Sequence, residues 1–138
     1  MTIDPYPSHF VFDMGMLLLR VAATLEIAIV HGFKKIGIGV AQAENIPNPL
    51  HFPEIFNNLF AISANIVFPF FVLIGLFTRL ATLPVLAVTL TGYFVVHWHD
   101  ALLEKDTPFI YSLIFLTILI FGPGKYSVDK FIYKKQTA

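Results

Sequence analysis

Long apolar runs separated by short joints rich in polar residues, Pro or Gly set the pattern of this chain. A helix needs about 20 mostly apolar residues to cross the ~30 Å hydrocarbon layer of a bilayer. The runs therefore predict four transmembrane helices, over about residues 14–35, 58–78, 80–98 and 107–122. The fourth is short, borrowing length from Thr107 and from Gly122-Pro123-Gly124, which stop it. Pro69 falls mid-run in the second, whereas Pro84 sits in the first turns of the third, where a missing donor does least harm. The joints are a Pro-containing lead-in over residues 1–12, a Pro-rich loop over 36–56, a turn at Gly75-Leu76-Phe77-Thr78-Arg79-Leu80, and a polar connection over 101–106. Ser127, a suitable N-cap, opens a stretch in which Phe131, Ile132 and Tyr133 alternate with Lys130, Lys134 and Lys135. That pattern predicts a short helix lying on the membrane surface, over about 127–135. The expected fold is all-α: an integral membrane four-helix bundle of antiparallel spans, forming a single domain over residues 1–138.

Composition agrees with the pattern. The chain is 57% hydrophobic and 13% charged, against roughly a quarter charged in a soluble domain, and its mean hydropathy is +0.75. Zero net charge leaves no basic patch for nucleic acid. With no Cys, dithiol redox chemistry, thiolate metal sites and covalent haem attachment are excluded. Ala41-Gln42-Ala43 resembles a signal-peptidase site, but residues 1–13 lack Lys and Arg and the run before it holds Arg20 and Glu26, so the first span is expected to be retained. Arg79, Lys125, Lys130, Lys134 and Lys135 fall on one side of an antiparallel bundle, with Lys34, Lys35 and Lys105 opposite. The excess of basic residues places both termini in the cytoplasm. It also places His31, His51, His97 and His99 at or beyond the outer end.

The charges inside the first run carry the functional question. An ionised side chain in hydrocarbon costs at least roughly 2.5 kcal/mol, so Arg20 and Glu26 are expected to face partner helices, water or ligand rather than lipid. At about 100° per residue, Arg20, Thr24, Ile27, His31, Lys34 and Lys35 share an arc of about 100°, whereas Glu26 points about 120° away from Arg20. His97, His99 and Asp100 close the third span on the same side as His31. Such a cluster can bind an anion or accept a proton released by a quinol. Plainer readings stand beside it. His97-Trp98-His99-Asp100 suits an interfacial anchor; Arg20 suits snorkelling or a pair with Asp13; Asn65 and Pro69 suit interhelical hydrogen bonding and a kink. A protonated Glu26 donating to Asn65 or a Thr is a structural alternative. His97 and His99 point about 200° apart, a poor metal pair, and His31 with His97 leaves no second pair of haem ligands.

Four segments together resemble the DoxX family of small four-span membrane proteins. They are Leu18-Leu19-Arg20 with His31-Gly32-Phe33-Lys34-Lys35, then Ile46-Pro47-Asn48-Pro49, Gly75-Leu76-Phe77-Thr78-Arg79-Leu80, and Gly122-Pro123-Gly124-Lys125-Tyr126-Ser127-Val128-Asp129. The resemblance implies a four-helix membrane bundle and a redox association, since members resemble the membrane subunit of thiosulfate:quinone oxidoreductase. In that pattern the second span usually carries an acidic residue after an Ala, where this chain has Ala64-Asn65, and an apolar residue is usual at Glu26.

Together these expectations describe a membrane subunit of a quinone-linked oxidoreductase or redox complex in a bacterial inner membrane. His31, His97 and Glu26 are the candidate catalytic groups. Arg20, Lys34, Lys35, Asn65, His99 and Asp100 are candidates for holding quinone or a small oxyanion. Quinone is the one cofactor expected, with no haem, flavin or metal motif visible, and a larger membrane complex or a homo-oligomer is the expected setting in the lipid bilayer. The alternative is a non-catalytic accessory or scaffold subunit packing against larger membrane partners. A carrier fits less well, because four spans without an internal repeat leave little room for alternating access.

Overall fold

The computed structural model describes residues 8–136, and these are all helix, turn or loop. Five helical runs follow the order α1 (His9–Lys35), α2 (Glu54–Ile74), α3 (Thr78–Val96), α4 (Leu102–Phe121) and α5 (Val128–Gln136). By length and apolarity α1, α2 and α3 can each cross a membrane. The 20-residue α4 packs along α3 but carries Glu104, Lys105 and Asp106 in its first turns.

Several boundaries differ from the sequence reading, and α2, at Glu54–Ile74, begins and ends four residues before the expected 58–78. Residues 9–12 are helical rather than part of a lead-in, because the Ser8 hydroxyl accepts a hydrogen bond from the Val11 amide and caps α1; residues 1–7 lie outside the described residues. The polar stretch 102–106 belongs to α4, where acidic side chains near a helix N-terminus oppose the positive end of its dipole.

Each long helix is locally irregular. Ile27–Gly32 in α1 and Gly92–Val96 in α3 widen into π-helical turns. In α2 the regular helix breaks at Ile66 (φ −125°, ψ −59°). Pro69 has no N–H to offer the Asn65 carbonyl one turn back, which accounts for the break. Gly32 packs into this interruption: a Cβ there would stand 2.8 Å from the Asn65 carbonyl oxygen and 2.6 Å from Ile66 Cγ1.

The core runs down the bundle axis through Met16, Ala23 and Ile27 of α1, Val72 of α2, Val85 and Leu86 of α3, and Phe115 and Ile118 of α4. Small Ala61, Ala64 and Ala81 allow close approach of the backbones. Buried hydroxyls bond back to their own helices, as in Thr24 to the Arg20 carbonyl (2.6 Å) and Ser112 to the Pro108 carbonyl (2.7 Å). Among the described residues no buried side-chain nitrogen or oxygen lacks a partner. Leu, Ile, Val and Phe cover the outer surface, as lipid contact requires.

The end holding the Arg79 turn is tied by polar bonds. Arg20, 2% exposed, donates Nε to the Leu73 carbonyl (3.3 Å), Nη1 to Pro123 (2.5 Å) and Nη2 to Tyr126 (2.6 Å). Asp129 accepts from the Phe77 and Thr78 amides (2.7 and 2.8 Å) and the Thr78 hydroxyl (2.8 Å), capping α3. Asp13 accepts from the Lys125 amide (2.8 Å).

Candidate functional site

The opposite end of the bundle is hollow. A cavity of about 650 Å³ lies among α1–α4 beneath the loop of residues 36–53, within the ~300–1,000 Å³ usual for small-molecule sites. Its walls are mostly apolar: Ile27 of α1, Phe56, Phe60 and Ala61 of α2, Ala87, Val88 and Val96 of α3, with Pro47, Pro49, Leu50 and Phe52 from the loop. Polar groups enter from His31, Asn65, His97 and Tyr111, with Lys34, Lys35, Glu44 and Asn57 at the loop end and Thr89, Thr91, Glu104 and Thr107 from α3 and α4.

Local irregularity positions His31, Asn65 and His97. His31 stands in the π-helical turn of α1, and its ring meets Tyr111 of α4 edge-on, with centroids 5.4 Å apart and planes at 89°. Asn65 sits at the break in α2, its Nδ2 donating to the Ala61 carbonyl at 2.7 Å. His97 follows the π-helical turn of α3, and its Nδ1 pairs with Asp100 Oδ2 at 2.5 Å. The Asp100 carboxylate accepts from Nδ1 and fixes the orientation of the ring. Among the described residues no protein group hydrogen-bonds the His31 ring or the Tyr111 hydroxyl, so both can serve a ligand.

A loop roofs the chamber. Asn48 takes both backbone groups of Phe52, accepting from its amide (3.0 Å) and donating to its carbonyl (2.6 Å), while Asn57 reaches from α2 to the Pro47 carbonyl (3.1 Å). Glu44 bridges Lys34 (2.9 Å) and Lys35 (3.0 Å). Burial pushes the Glu44 carboxyl up, but hydrogen bonds and charge from the two lysines outweigh this and hold it below the ordinary Glu value.

The expected residues therefore separate. His31, His97, Asn65, Lys34 and Lys35 line the one cavity, and Asp100 joins it through His97. His99 is exposed and does not line it. Arg20 faces inward with Thr24 and Ile27, but it lies 11 residues, about 16 Å of helix, from His31, and carbonyls at the far end take its donors. Glu26 is exposed, against the expectation of a sheltered carboxylate, because its 120° offset from Arg20 turns it off the inward face. No inward polar row runs from Arg20 to His31, although the Glu26 carboxylate is close enough for its charge to act on His31 and Tyr111. Tyr111 went unnoticed in the sequence; a phenol within the apolar run of α4 was the available signal. Among the described residues no three His, Cys, Asp or Glu side chains gather closely enough to hold a metal ion.

These features define a small helical membrane protein with an apolar chamber at one end. The DoxX family profile matches residues 15–98, which span α1–α3 and most of the cavity wall, and the chain belongs to the DoxX family. Comparison with curated proteins and with solved structures gives no significant match.

Proposed function

We propose that this protein is a four-span subunit of a quinone-linked oxidoreductase or redox complex in a bacterial inner membrane, with both termini cytoplasmic. The observation that carries the reading is the pairing of two imidazoles and a phenol with an apolar chamber of about 650 Å³. A quinone presents a flat apolar ring with carbonyl acceptors on its edge, which suits walls such as Ile27, Val88 and Phe60 and donors such as His31 and Tyr111. A bound quinone supplies two-electron, two-proton redox chemistry; the electron donor is then a substrate or partner subunit. His31 and Tyr111 orient the ring, Asn65 bounds its far side, and His97, steadied by Asp100, holds or passes a proton. Lys34 and Lys35 keep the chamber mouth electropositive.

A second reading, an accessory subunit docked on larger membrane partners, draws on Glu26, an exposed carboxylate on a spanning helix. Titrating purified protein with a ubiquinone or menaquinone analogue separates the two. The redox reading expects saturable binding that His31→Ala and His97→Ala each weaken about tenfold or more, about 1.4 kcal/mol. Equal binding by the parent and both variants rejects this site.

A further inference from the structure

The chamber is roofed by the loop, and its exposed wall residues fall at two edges: Glu104 and Thr107 at the start of α4, and Phe56, Phe60 and Ala87 on α2 and α3. Gly32 of α1 abuts α2 at Asn65 and Ile66. On a helix Phe60 lies about 140° round from Asn65, off the contact with α1, and it shares the chamber wall with Ala87 of α3. A Cβ on Gly92 would lie 3.6 Å from Pro108 of α4, and Ala87, about 140° round α3 from Gly92, is turned off that contact. Phe56, Phe60 and Ala87 line the chamber and are also exposed, Phe56 at 54% and Phe60 at 37%. The upper part of α3, Gly92–Val96, packs mainly on α4 and the rest of α3 and less on α2, so the two helices diverge there.

Depth decides what this slot faces. Phe60 lies six residues inside α2 and Ala87 nine residues inside α3, about 9 and 13 Å from the helix ends at 1.5 Å per residue. In a hydrocarbon layer ~30 Å thick the slot opens into acyl chains, not water. Phe52, Phe56 and Phe60 form an aromatic file along its edge, with centroids 5.6 and 6.2 Å apart.

We infer that the slot between α2 and α3 is a lateral portal, and that the ligand is an amphiphile drawn from the bilayer. Its hydrogen-bonding head reaches His31 and Tyr111, and its long apolar chain trails out between Phe60 and Ala87. The identity of the head rests on the quinone reading above; the portal and the chain do not. Ala87 is small enough to leave the slot open, and a large side chain there closes it.

Two arms test this in reconstituted vesicles. In the first, Trp98→Phe removes the single Trp and Phe60→Trp places a reporter at the slot. Bromine-labelled phosphatidylcholine should quench it at least twofold while aqueous iodide has little effect; iodide quenching without bromine quenching overturns the portal. In the second, a quinone with a polyisoprenoid chain is compared with the same head lacking the chain. Ala87→Phe, with Ala87→Leu as a milder control, should weaken the long-chain ligand at least tenfold and the short one less than twofold. Unchanged binding of both by folded variants overturns the portal but spares the head site. If the parent binds neither quinone, the quinone reading falls, and Ala87→Phe is read against displacement of bromine-labelled lipid from the reporter: no change with Ala87→Phe overturns the portal, and loss of quenching supports it.

Discussion

Arg20 offers the sharpest test of how this fold is held. It is 2% exposed and binds three main-chain carbonyls, of Leu73 at the end of α2 and of Pro123 and Tyr126 in the segment after α4. Asp129 supplies a nearby opposite charge. A hydrogen bond to a charged group contributes about 1.5–3 kcal/mol net, but removing the guanidinium also removes the penalty of burying it. Arg20→Met leaves three carbonyls without that donor and should destabilise by about 3–5 kcal/mol, each buried unsatisfied group costing about 1–3 kcal/mol. Arg20→Lys keeps the charge but loses the planar fork that reaches three carbonyls at once, and should cost roughly 2–4 kcal/mol. Equilibrium unfolding in mixed micelles, followed by helical circular dichroism, measures both. Proteolysis after Lys125 should rise in parallel, since the segment it sits in loses its anchor. If both variants unfold within about 0.5 kcal/mol of the parent, the range of an inconsequential surface change, Arg20 is not the tie described here.

Four further outcomes follow from the same geometry. Gly75→Ala places a Cβ on a residue at φ +74°, 2.5 Å from Ser127 Cβ and 3.0 Å from its Cα, and should cost roughly 2–4 kcal/mol by the same unfolding measurement. Asp129→Ala removes the cap of α3 and should cost about 1–2 kcal/mol, with Asp129→Asn in between. Gly32→Ala drives a methyl into the Asn65 carbonyl, and should cost roughly 1–3 kcal/mol and lower quinone-analogue affinity by shifting α1 away from α2. The Glu44 bridge predicts a pH effect: its depressed carboxyl helps hold the roof above the ordinary Glu value of about 4.5 and loses that contribution as pH falls through the lowered folded value. A nitroxide at Ala41→Cys, the only cysteine then present, should gain mobility in acid, and Glu44→Gln should show the gain already at pH 7.

Hydrophobic run length was enough to place the helices, because lipid demands it of every spanning segment. The 100° rule likewise turned Arg20, Thr24 and Ile27 inward, as found. What the pattern lacked was destination. Nothing in the spacing says that Arg20 reaches carbonyls more than a hundred residues away in sequence, so a functional and a structural arginine look alike. Glu26 is turned off the inward face by its own angle, so within the single chain no helix covers it. The chamber was hidden for a different reason. It exists because α1 and α3 each widen into a π turn and α2 breaks at Ile66, and none of these departures shifts a 3.6-residue periodicity enough to be read.

The motifs that carry the family likeness also divide by end, and this bears on how far membership informs chemistry. The segment around Gly75, within the matched residues, and Gly122–Asp129, beyond them, together build the Arg20 and Asp129 ties. His31 with Gly32, and the Asn48 turn, build the chamber wall and its roof. Tyr111, by contrast, comes from α4, beyond the matched residues 15–98. The side chain facing His31 is thus supplied by the part of the bundle that the family profile leaves out. Ligand preference within such a scaffold is expected to vary with α4 and with the Phe56, Phe60 and Ala87 slot more than with the matched motifs. Tyr111→Phe sharpens the point: it keeps the ring against His31 and removes only the hydroxyl. A tenfold loss of analogue affinity with unchanged unfolding would assign the phenol to the ligand; an unchanged affinity would leave Tyr111 as packing for the imidazole.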